Sequence, residues 1–125
     1  MAQPMFFDSH GHMDDHAFDE DRYQVIDSFS DAGIIGMVNV GSSAESVETS
    51  REIAEKCPNV FFSAGIHPSE CGDLDLGFID RIRDLYTNHE KCVAIGEIGL
   101  DYHYDDVPKD VQRIWFEKQC ALAAE

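Results

Sequence analysis

Four short apolar runs, recurring roughly every 30 residues, constrain the fold of this chain more than any other feature. They occupy residues 5–9, 35–40, 60–66 and 92–98 and are rich in Val, Ile and Phe. Near-continuous apolar runs of this length are typical of parallel strands that are buried on both faces. The pattern therefore predicts four buried β-strands.

The segments that separate and follow these strands carry apolar residues at helical spacing. Helices are predicted over residues 19–32, 43–56, 75–88 and 108–124, the second with a capping box from Ser42 to Glu45. Their apolar positions are predicted to face the core. These positions are Val25, Ile26, Phe29, Ala32, Phe78, Ile79, Ile82, Leu85, Tyr86, Val111, Ile114, Trp115 and Leu122.

Strands and helices thus alternate along a chain whose 125 residues predict one domain. Repeated βα units imply a parallel sheet with right-handed crossovers. Two architectures fit this order: a small, open, doubly wound sheet, or half of an eight-stranded barrel. The hydrophobic periodicity does not separate them.

The net charge of −16 excludes one class of function. A basic surface for non-specific nucleic-acid binding is not expected, because phosphate contacts need Lys and Arg. A phosphate substrate held by a bound divalent metal remains compatible with this charge, since metal sites themselves need carboxylates.

The chain carries no sequence signal for a membrane or for secretion. No apolar run approaches the ~18 residues that span a bilayer, and the N-terminus lacks the basic and apolar regions of a signal peptide. We therefore expect a cytoplasmic protein without a membrane partner. Widely spaced cysteines predict free thiols rather than disulfides or a zinc knuckle; they are Cys57, Cys71, Cys92 and Cys120.

Polar residues gather where each predicted strand ends. In a parallel α/β sheet these ends share one edge, which is where such folds place their sites. The residues at these ends are Asp8, His10 and His12; Asn39, Gly41 and Ser42; His67 and Pro68; and Glu97, Asp101 and His103.

His10, His12 and Glu97 are the candidate metal ligands. Residues i and i+2 of an extended strand point to the same side, so the two imidazoles can share one ion. Glu97 interrupts an apolar run, and a Glu is rarely buried unless it is paired or binds metal. Such a mixed N/O set suits Zn²⁺, Mn²⁺, Fe or hydrated Mg²⁺. The alternatives are ordinary polar residues at a strand end and a salt bridge from Glu97 to an Arg.

The role of His67 is left open by its spacing. It can bind metal, donate a hydrogen bond to a substrate oxygen, or cap the loop before Pro68. Asp101 and His103 are weaker candidates of the same kind.

Three segments resemble the N-terminal signatures of the TatD-like metal-dependent deoxyribonucleases. They are "FFDSHGHMDD", "AGIHPSE" and "AIGEIGLDYHYD", and the similarity continues through "QRIWFEKQCALAAE" to cover essentially the whole chain. An H-x-H pair alone would indicate only the wider amidohydrolase-type barrels, whereas G-x-H-P with G-E-I-G-L-D narrows the resemblance. Gly11 stands where many members carry Cys.

This resemblance implies a (β/α)8 TIM barrel with one or two divalent metals, Mg, Mn or Zn. Residues 1–125 would be a single domain that supplies about the first four βα units, the N-terminal half of the barrel. His10 and His12 would bind the first metal and Glu97 would bridge the two metals, with no catalytic residue separate from these ligands. His67, Asp101 and His103 would line the substrate pocket.

The activity that the resemblance implies is hydrolysis of phosphodiester bonds in DNA, as a 3′–5′ exonuclease on single-stranded ends. Family members are longer, and their remaining ligands, two histidines and an aspartate, correspond to positions after Glu125. We therefore expect little or no nuclease activity from the isolated chain, and the partner that the resemblance implies is a C-terminal half-barrel chain.

Two other functions stay open at this point. One is an inactive fragment or interaction module, and the other is a related metal-dependent hydrolase of a small-molecule amide or ester.

Overall fold

A parallel four-stranded sheet organises the chain in a computed structural model that describes residues 2–125. Its strands are β1 (Phe6–Gly11), β2 (Ile34–Val40), β3 (Val60–Ala64) and β4 (Cys92–Ile95). They lie side by side in the order β1-β2-β3-β4, and every neighbouring pair is parallel. A doubly wound sheet reverses its strand order at a switch point, whereas a barrel adds each strand next to the last. The observed order therefore favours a barrel segment.

Each strand is followed by a helix, and the core lies between the helices and the sheet. The helices are α1 (Arg22–Asp27), α2 (Ala44–Lys56), α3 (Phe78–Asn88) and α4 (Lys109–Ala124), and a 3-10 turn, His16–Phe18, precedes α1. The largest fully buried apolar side chains are Phe62, Met37, Ile53, Ile66, Ile82, Val47 and Val60. No helix within residues 2–125 is long and apolar enough to cross a membrane.

The first helix is shorter than the predicted span 19–32. It ends at Asp27, and the Ser28 hydroxyl donates to the Val25 carbonyl at 2.7 Å. Ser side chains compete in this way with the helical hydrogen bonds. The chain then turns through Gly33, which has a φ of 80° that favours glycine.

Two other helix starts also differ from the prediction. The N-cap of α2 is Ser43, whose hydroxyl accepts from the Ser46 N–H at 3.0 Å, and not Ser42. The third helix begins at Phe78 instead of residue 75, since the Asp75 carboxylate accepts from the Gly77 N–H and holds a turn there. Local side-chain acceptors thus set both starts.

The third and fourth strands end earlier than predicted, at Ala64 and Ile95. Glu97 therefore lies in the loop after β4 and not inside a buried strand, and 34% of its side-chain surface is exposed. From this loop the Glu97 carboxylate reaches the carboxyl edge of the sheet, where β1 ends.

Burial on both faces holds for most of β2 and β3, apart from Ile35 at 56% exposure, but not for the edge strands. Phe6 and Phe7 of β1 are 56% and 49% exposed, because an edge strand has one neighbour only. Tyr86 and Ile114, predicted to face the core, are each 44% exposed. Those two helical positions lie beyond the apolar stripe that the sheet covers.

Candidate metal centre

Three histidines surround the Glu97 carboxylate at the carboxyl edge of the sheet. Nε2 of His10 lies 3.5 Å from Oε2 of Glu97, and Nε2 of His12 lies 4.0 Å from the same oxygen. Nε2 of His67 lies 3.9 Å from Oε1, the other carboxylate oxygen. The residues come from the ends of β1, β3 and β4, so the parallel sheet is what brings them together.

His10 and His12 form a pair at the end of β1. Their ring centroids are 5.0 Å apart, and the rings meet edge to face at 73°. With Glu97 they offer three ligand atoms that all lie within 4.8 Å of one another. Two imidazole nitrogens and a carboxylate oxygen are a donor set that suits a divalent cation such as Zn²⁺ or Mn²⁺.

The hydrogen bond that His12 makes with its other nitrogen leaves Nε2 free for a ligand. Its Nδ1 lies 3.1 Å from the Val40 carbonyl oxygen. Because a carbonyl only accepts, Nδ1 carries the hydrogen and the lone pair of a neutral imidazole is on Nε2. Metal-binding histidines are commonly oriented by such a bond to a backbone carbonyl.

His67 has the opposite arrangement. Its Nδ1 accepts the backbone N–H of Ser69 at 3.1 Å, and the Ser69 hydroxyl lies 2.7 Å from the same nitrogen. A neutral His67 therefore carries its hydrogen on Nε2, which points to the carboxylate of Glu97. This nitrogen can donate a hydrogen bond to an oxygen. Donation to a substrate oxygen is one of the three roles that the sequence left open for His67.

Asp101 and His103 lie outside this group of ligand atoms. The Asp101 carboxylate accepts the His103 backbone N–H at 3.0 Å, and the exposed His103 ring packs against Tyr104. Gln112 of α4 bonds both the N–H and the C=O of Asp101, each at 2.9 Å. The structure thus places these two residues in a loop held by α4, away from the three ligand atoms.

A buried polar network under the loop after β1 has no predicted counterpart. Asn39 is fully buried; its side-chain oxygen accepts the Met13 N–H at 2.6 Å, and its amide donates to Asp14 at 2.8 Å. The Ser46 hydroxyl donates to the other Asp14 oxygen at 2.6 Å. The one sequence signal for it was an Asn at the end of an apolar strand.

All four cysteines are free thiols, as predicted. Burial raises the pKa of the Cys92 thiol, at the start of β4, to about 11. Burial also raises the pKa of the Cys57 and Cys71 thiols. These three side chains are therefore protonated at neutral pH and are not thiolate ligands.

The family described as "TatD related DNase" matches residues 7–125. The chain belongs to this family. The resemblance read from the three motifs is thereby confirmed, and it covers nearly all of the described sequence.

Similar TatD-family proteins are about twice as long as this chain. An uncharacterized metal-dependent hydrolase, YabD, of Bacillus subtilis strain 168 is 36% identical over 121 residues, which are 97% of this chain and 47% of that protein. A 3′–5′ ssDNA/RNA exonuclease TatD of Rahnella sp. is 37% identical over 109 residues, 86% of this chain and 41% of that protein. The chain therefore spans slightly less than half of these relatives.

Solved structures of TatD-family proteins have the same fold. The Escherichia coli K12 TatD homologue YjjV superposes with a TM-score of 0.84 at 27% identity, over 94% of this chain and 46% of that one. A TatD-family hydrolase from Entamoeba histolytica gives 0.83 at 26% identity, over 98% and 46%. The fold is thus an α/β TIM-barrel type of which the chain supplies four βα units, as predicted.

Proposed function

We propose that this chain is part of a metal-dependent nuclease that hydrolyses phosphodiester bonds of DNA from a single-stranded 3′ end. The observation that carries the proposal is the Glu97 carboxylate facing Nε2 of His10 and His12 at the carboxyl edge of the sheet. The names of two relatives, a metal-dependent hydrolase and a 3′–5′ ssDNA/RNA exonuclease, support it.

The residues present fit one or two divalent cations. His10 and His12 would hold the first ion, and Glu97 has two oxygens with which to bridge a second. A bound cation would supply Lewis acidity and neutralise charge on the phosphate. Mg²⁺, Mn²⁺ and Zn²⁺ all remain candidates.

His67, Asp101 and His103 are proposed to contact the substrate. His67 is best placed, because its Nε2, which carries the hydrogen in the neutral ring, lies 3.9 Å from Oε1 of Glu97. A substrate oxygen near that carboxylate would be within reach of this donor. Asp101 and His103 lie in the loop that continues from Glu97, and they would take part only where the substrate extends over that loop.

The acidic surface favours a substrate that needs few phosphate contacts. With nine Lys and Arg against 25 Asp and Glu, the chain offers no broad positive groove. A single-stranded end needs only a few phosphates to be held, and divalent cations can hold them.

We further propose that activity requires the part of the barrel that this chain does not supply. In the relatives, more than half of the length lies outside the matched region. The strands β1 and β4 form the two edges of the described sheet, and exposed apolar residues such as Phe6 and Val93 lie on them. We propose a C-terminal half-barrel as the partner of these edges.

The cytoplasmic location and the single domain over residues 1–125 stay predictions.

The proposal is tested with a 5′-labelled single-stranded DNA in the presence of Mg²⁺ or Mn²⁺. The chain is assayed alone and after co-purification with the C-terminal half of the Bacillus subtilis relative. We expect stepwise shortening from the 3′ end only when the two halves co-elute, and its loss in Glu97→Gln and His12→Ala.

His16→Ala is the matched control, because this exposed histidine pairs with Asp19 and lies outside the candidate centre. Full nuclease activity of the chain alone would contradict the requirement for the rest of the barrel. Hydrolysis of amides or esters by the paired halves without cleavage of DNA would contradict the nuclease function.

A further inference from the structure

The end of β2 contributes no side chain to the candidate centre, yet its backbone contacts three of the residues there. The carbonyls of residues 40–42 are used one after another. The Val40 carbonyl oxygen lies 3.1 Å from Nδ1 of His12. The Gly41 carbonyl accepts the N–H of Glu97 at 2.7 Å, and the Ser42 carbonyl accepts the N–H of His67 at 2.8 Å. Residues from three other parts of the sheet edge are thus bonded to one short segment.

The hydrogen bond from the Glu97 N–H to the Gly41 carbonyl joins the segments that follow β2 and β4, two strands that are not neighbours. In the order β1-β2-β3-β4, β3 lies between the end of β2 and the loop after β4. The loop must therefore cross the end of β3, and its approach begins with the Gly96 N–H, which donates to the Ala64 carbonyl at 3.0 Å. The residue at the crossing point is Gly65.

A side chain at Gly65 would block this crossing. A Cβ built there would lie 2.5 Å from the carbonyl carbon of Gly96 and 2.8 Å from both its Cα and its oxygen. These are backbone atoms, which cannot rotate aside as a flexible side chain can. A larger residue would therefore push residue 96 away from β3 and lift the Glu97 N–H off its acceptor.

We propose that residues 40–42 are the positioning element of the candidate metal centre and that Gly65 is the positioning residue that lets Gly41 hold Glu97. This inference rests on the proposed function for the identity of the centre. It explains why the carboxylate of a loop residue is directed to the histidines of β1 and not to solvent. Gly41 and Gly65 are not themselves proposed to contact substrate or metal, because both act through Glu97.

The first test measures hydrogen exchange of backbone amides by NMR in the unsubstituted chain. Glu97 and His67 lie outside the strands and helices, but their amides should exchange slowly because both are bonded to the end of β2. In Gly65→Ala the Glu97 amide should exchange much faster. The Phe62 amide of β3, which donates to the Lys91 carbonyl, should keep its protection and report an intact sheet.

The second test measures zinc affinity by calorimetry. Gly65→Ala should weaken binding about tenfold or more, the usual effect of disturbing a group that orients a ligand. Gly99→Ala is the matched control, because a Cβ there meets no atom within 4 Å and the residue lies two positions from Glu97. Ile82→Val, in the core on α3, controls for destabilisation alone and should leave the zinc affinity unchanged.

Each outcome decides the inference. Fast exchange of the Glu97 amide in the unsubstituted chain would overturn it, as would unchanged exchange or unchanged zinc affinity in a folded Gly65→Ala. If Gly65→Ala does not fold, the exchange rates of the unsubstituted chain decide. If the unsubstituted chain binds no zinc, the claim that His10, His12 and Glu97 hold a metal without the rest of the barrel fails, while the exchange comparison still shows whether Gly65 permits the bond from Glu97 to Gly41.

Discussion

At the candidate centre, His12 and His67 face the same carboxylate but hold their hydrogens on different ring nitrogens. The Val40 carbonyl takes a hydrogen from Nδ1 of His12, whereas the Ser69 backbone gives one to Nδ1 of His67. One imidazole can therefore offer a lone pair from Nε2, and the other can donate a hydrogen bond from Nε2.

We predict that these two tautomers are observable in the neutral imidazoles. Nitrogen-15 NMR at mildly alkaline pH should show a protonated Nδ1 in His12 and a protonated Nε2 in His67. Ser69→Ala is the control: it removes the hydroxyl but keeps the backbone donor, so the tautomer of His67 should not change. A protonated Nδ1 in His67 would contradict its proposed role as a donor to substrate oxygens.

The side chains of the centre could be anticipated from sequence, but their backbone supports could not. The H-x-H spacing predicted that His10 and His12 point to the same side, and their rings do lie 5.0 Å apart. The carbonyls of residues 40–42 have no such signature, because every residue type carries the same acceptor. Their role emerges only from the strand order, which brings β2 next to both β1 and β3.

At the scale of elements, a buried glutamine, Gln119, bonds α4 to the loop that follows β3. The Gln119 side chain accepts the Ile66 N–H at 2.7 Å and donates to the Ile66 carbonyl at 3.2 Å. Ile66 itself directly precedes His67. The helix therefore supports the loop that carries one of the candidate residues.

Gln119→Leu should lower the free energy of unfolding, because it leaves two buried backbone groups of Ile66 without partners. The expected cost is about 1–3 kcal/mol for each unpaired group. Urea denaturation measures it, with Gln24→Leu on the exposed surface of α1 as the control. Equal stability of the two variants would show that the bonds from Gln119 to Ile66 do not stabilise the fold.

A second link between elements joins α2 to α3 through Glu48. Its carboxylate accepts from Nε and Nη2 of Arg81 at 2.7 and 3.0 Å, and from Arg51 of the same helix at 3.0 Å. The hydrogen bonds from Arg81, with those from Arg51, hold the pKa of Glu48 below its usual range. A carboxylate with a lowered pKa stabilises the folded state above its unfolded pKa and loses that contribution as pH falls.

Glu48→Gln should therefore reduce the loss of stability that the chain suffers on acidification below the ordinary Glu pKa. The measurement is the free energy of unfolding across a series of acidic pH values. Glu52→Gln is the control, since this more exposed carboxylate lies 3.8 Å from Arg51 of the same helix. An equal pH dependence for Glu48→Gln and the unsubstituted chain would contradict the link.

Periodicity predicted which elements exist more reliably than where they end. All four strands and helices are present, yet α1 spans six residues and Glu97 lies beyond β4. At the end of α1 a local bond, from the Ser28 hydroxyl to the Val25 carbonyl, competes with the helical hydrogen bonds. Apolar spacing does not report these short-range polar contacts.

At the scale of the whole molecule, strand order is the property that separates the two architectures. Doubly wound sheets and barrels are built from the same βα unit, so the apolar pattern of either is the same. The consecutive order of four parallel strands and the superposition on TatD-family structures show the barrel type. The edge strands carry exposed apolar residues, and the chain matches less than half of the length of the Bacillus subtilis relative.

The central claim is that these four βα units bring His10, His12 and Glu97 into one donor set. Zinc content of the purified chain after equilibrium dialysis tests it most directly, with Glu97→Gln measured beside Glu70→Gln, an exposed acid three residues from His67. We predict about one ion per chain, lost in Glu97→Gln and kept in Glu70→Gln. Absence of bound zinc from a folded chain, or equal binding by the two variants, would contradict the account.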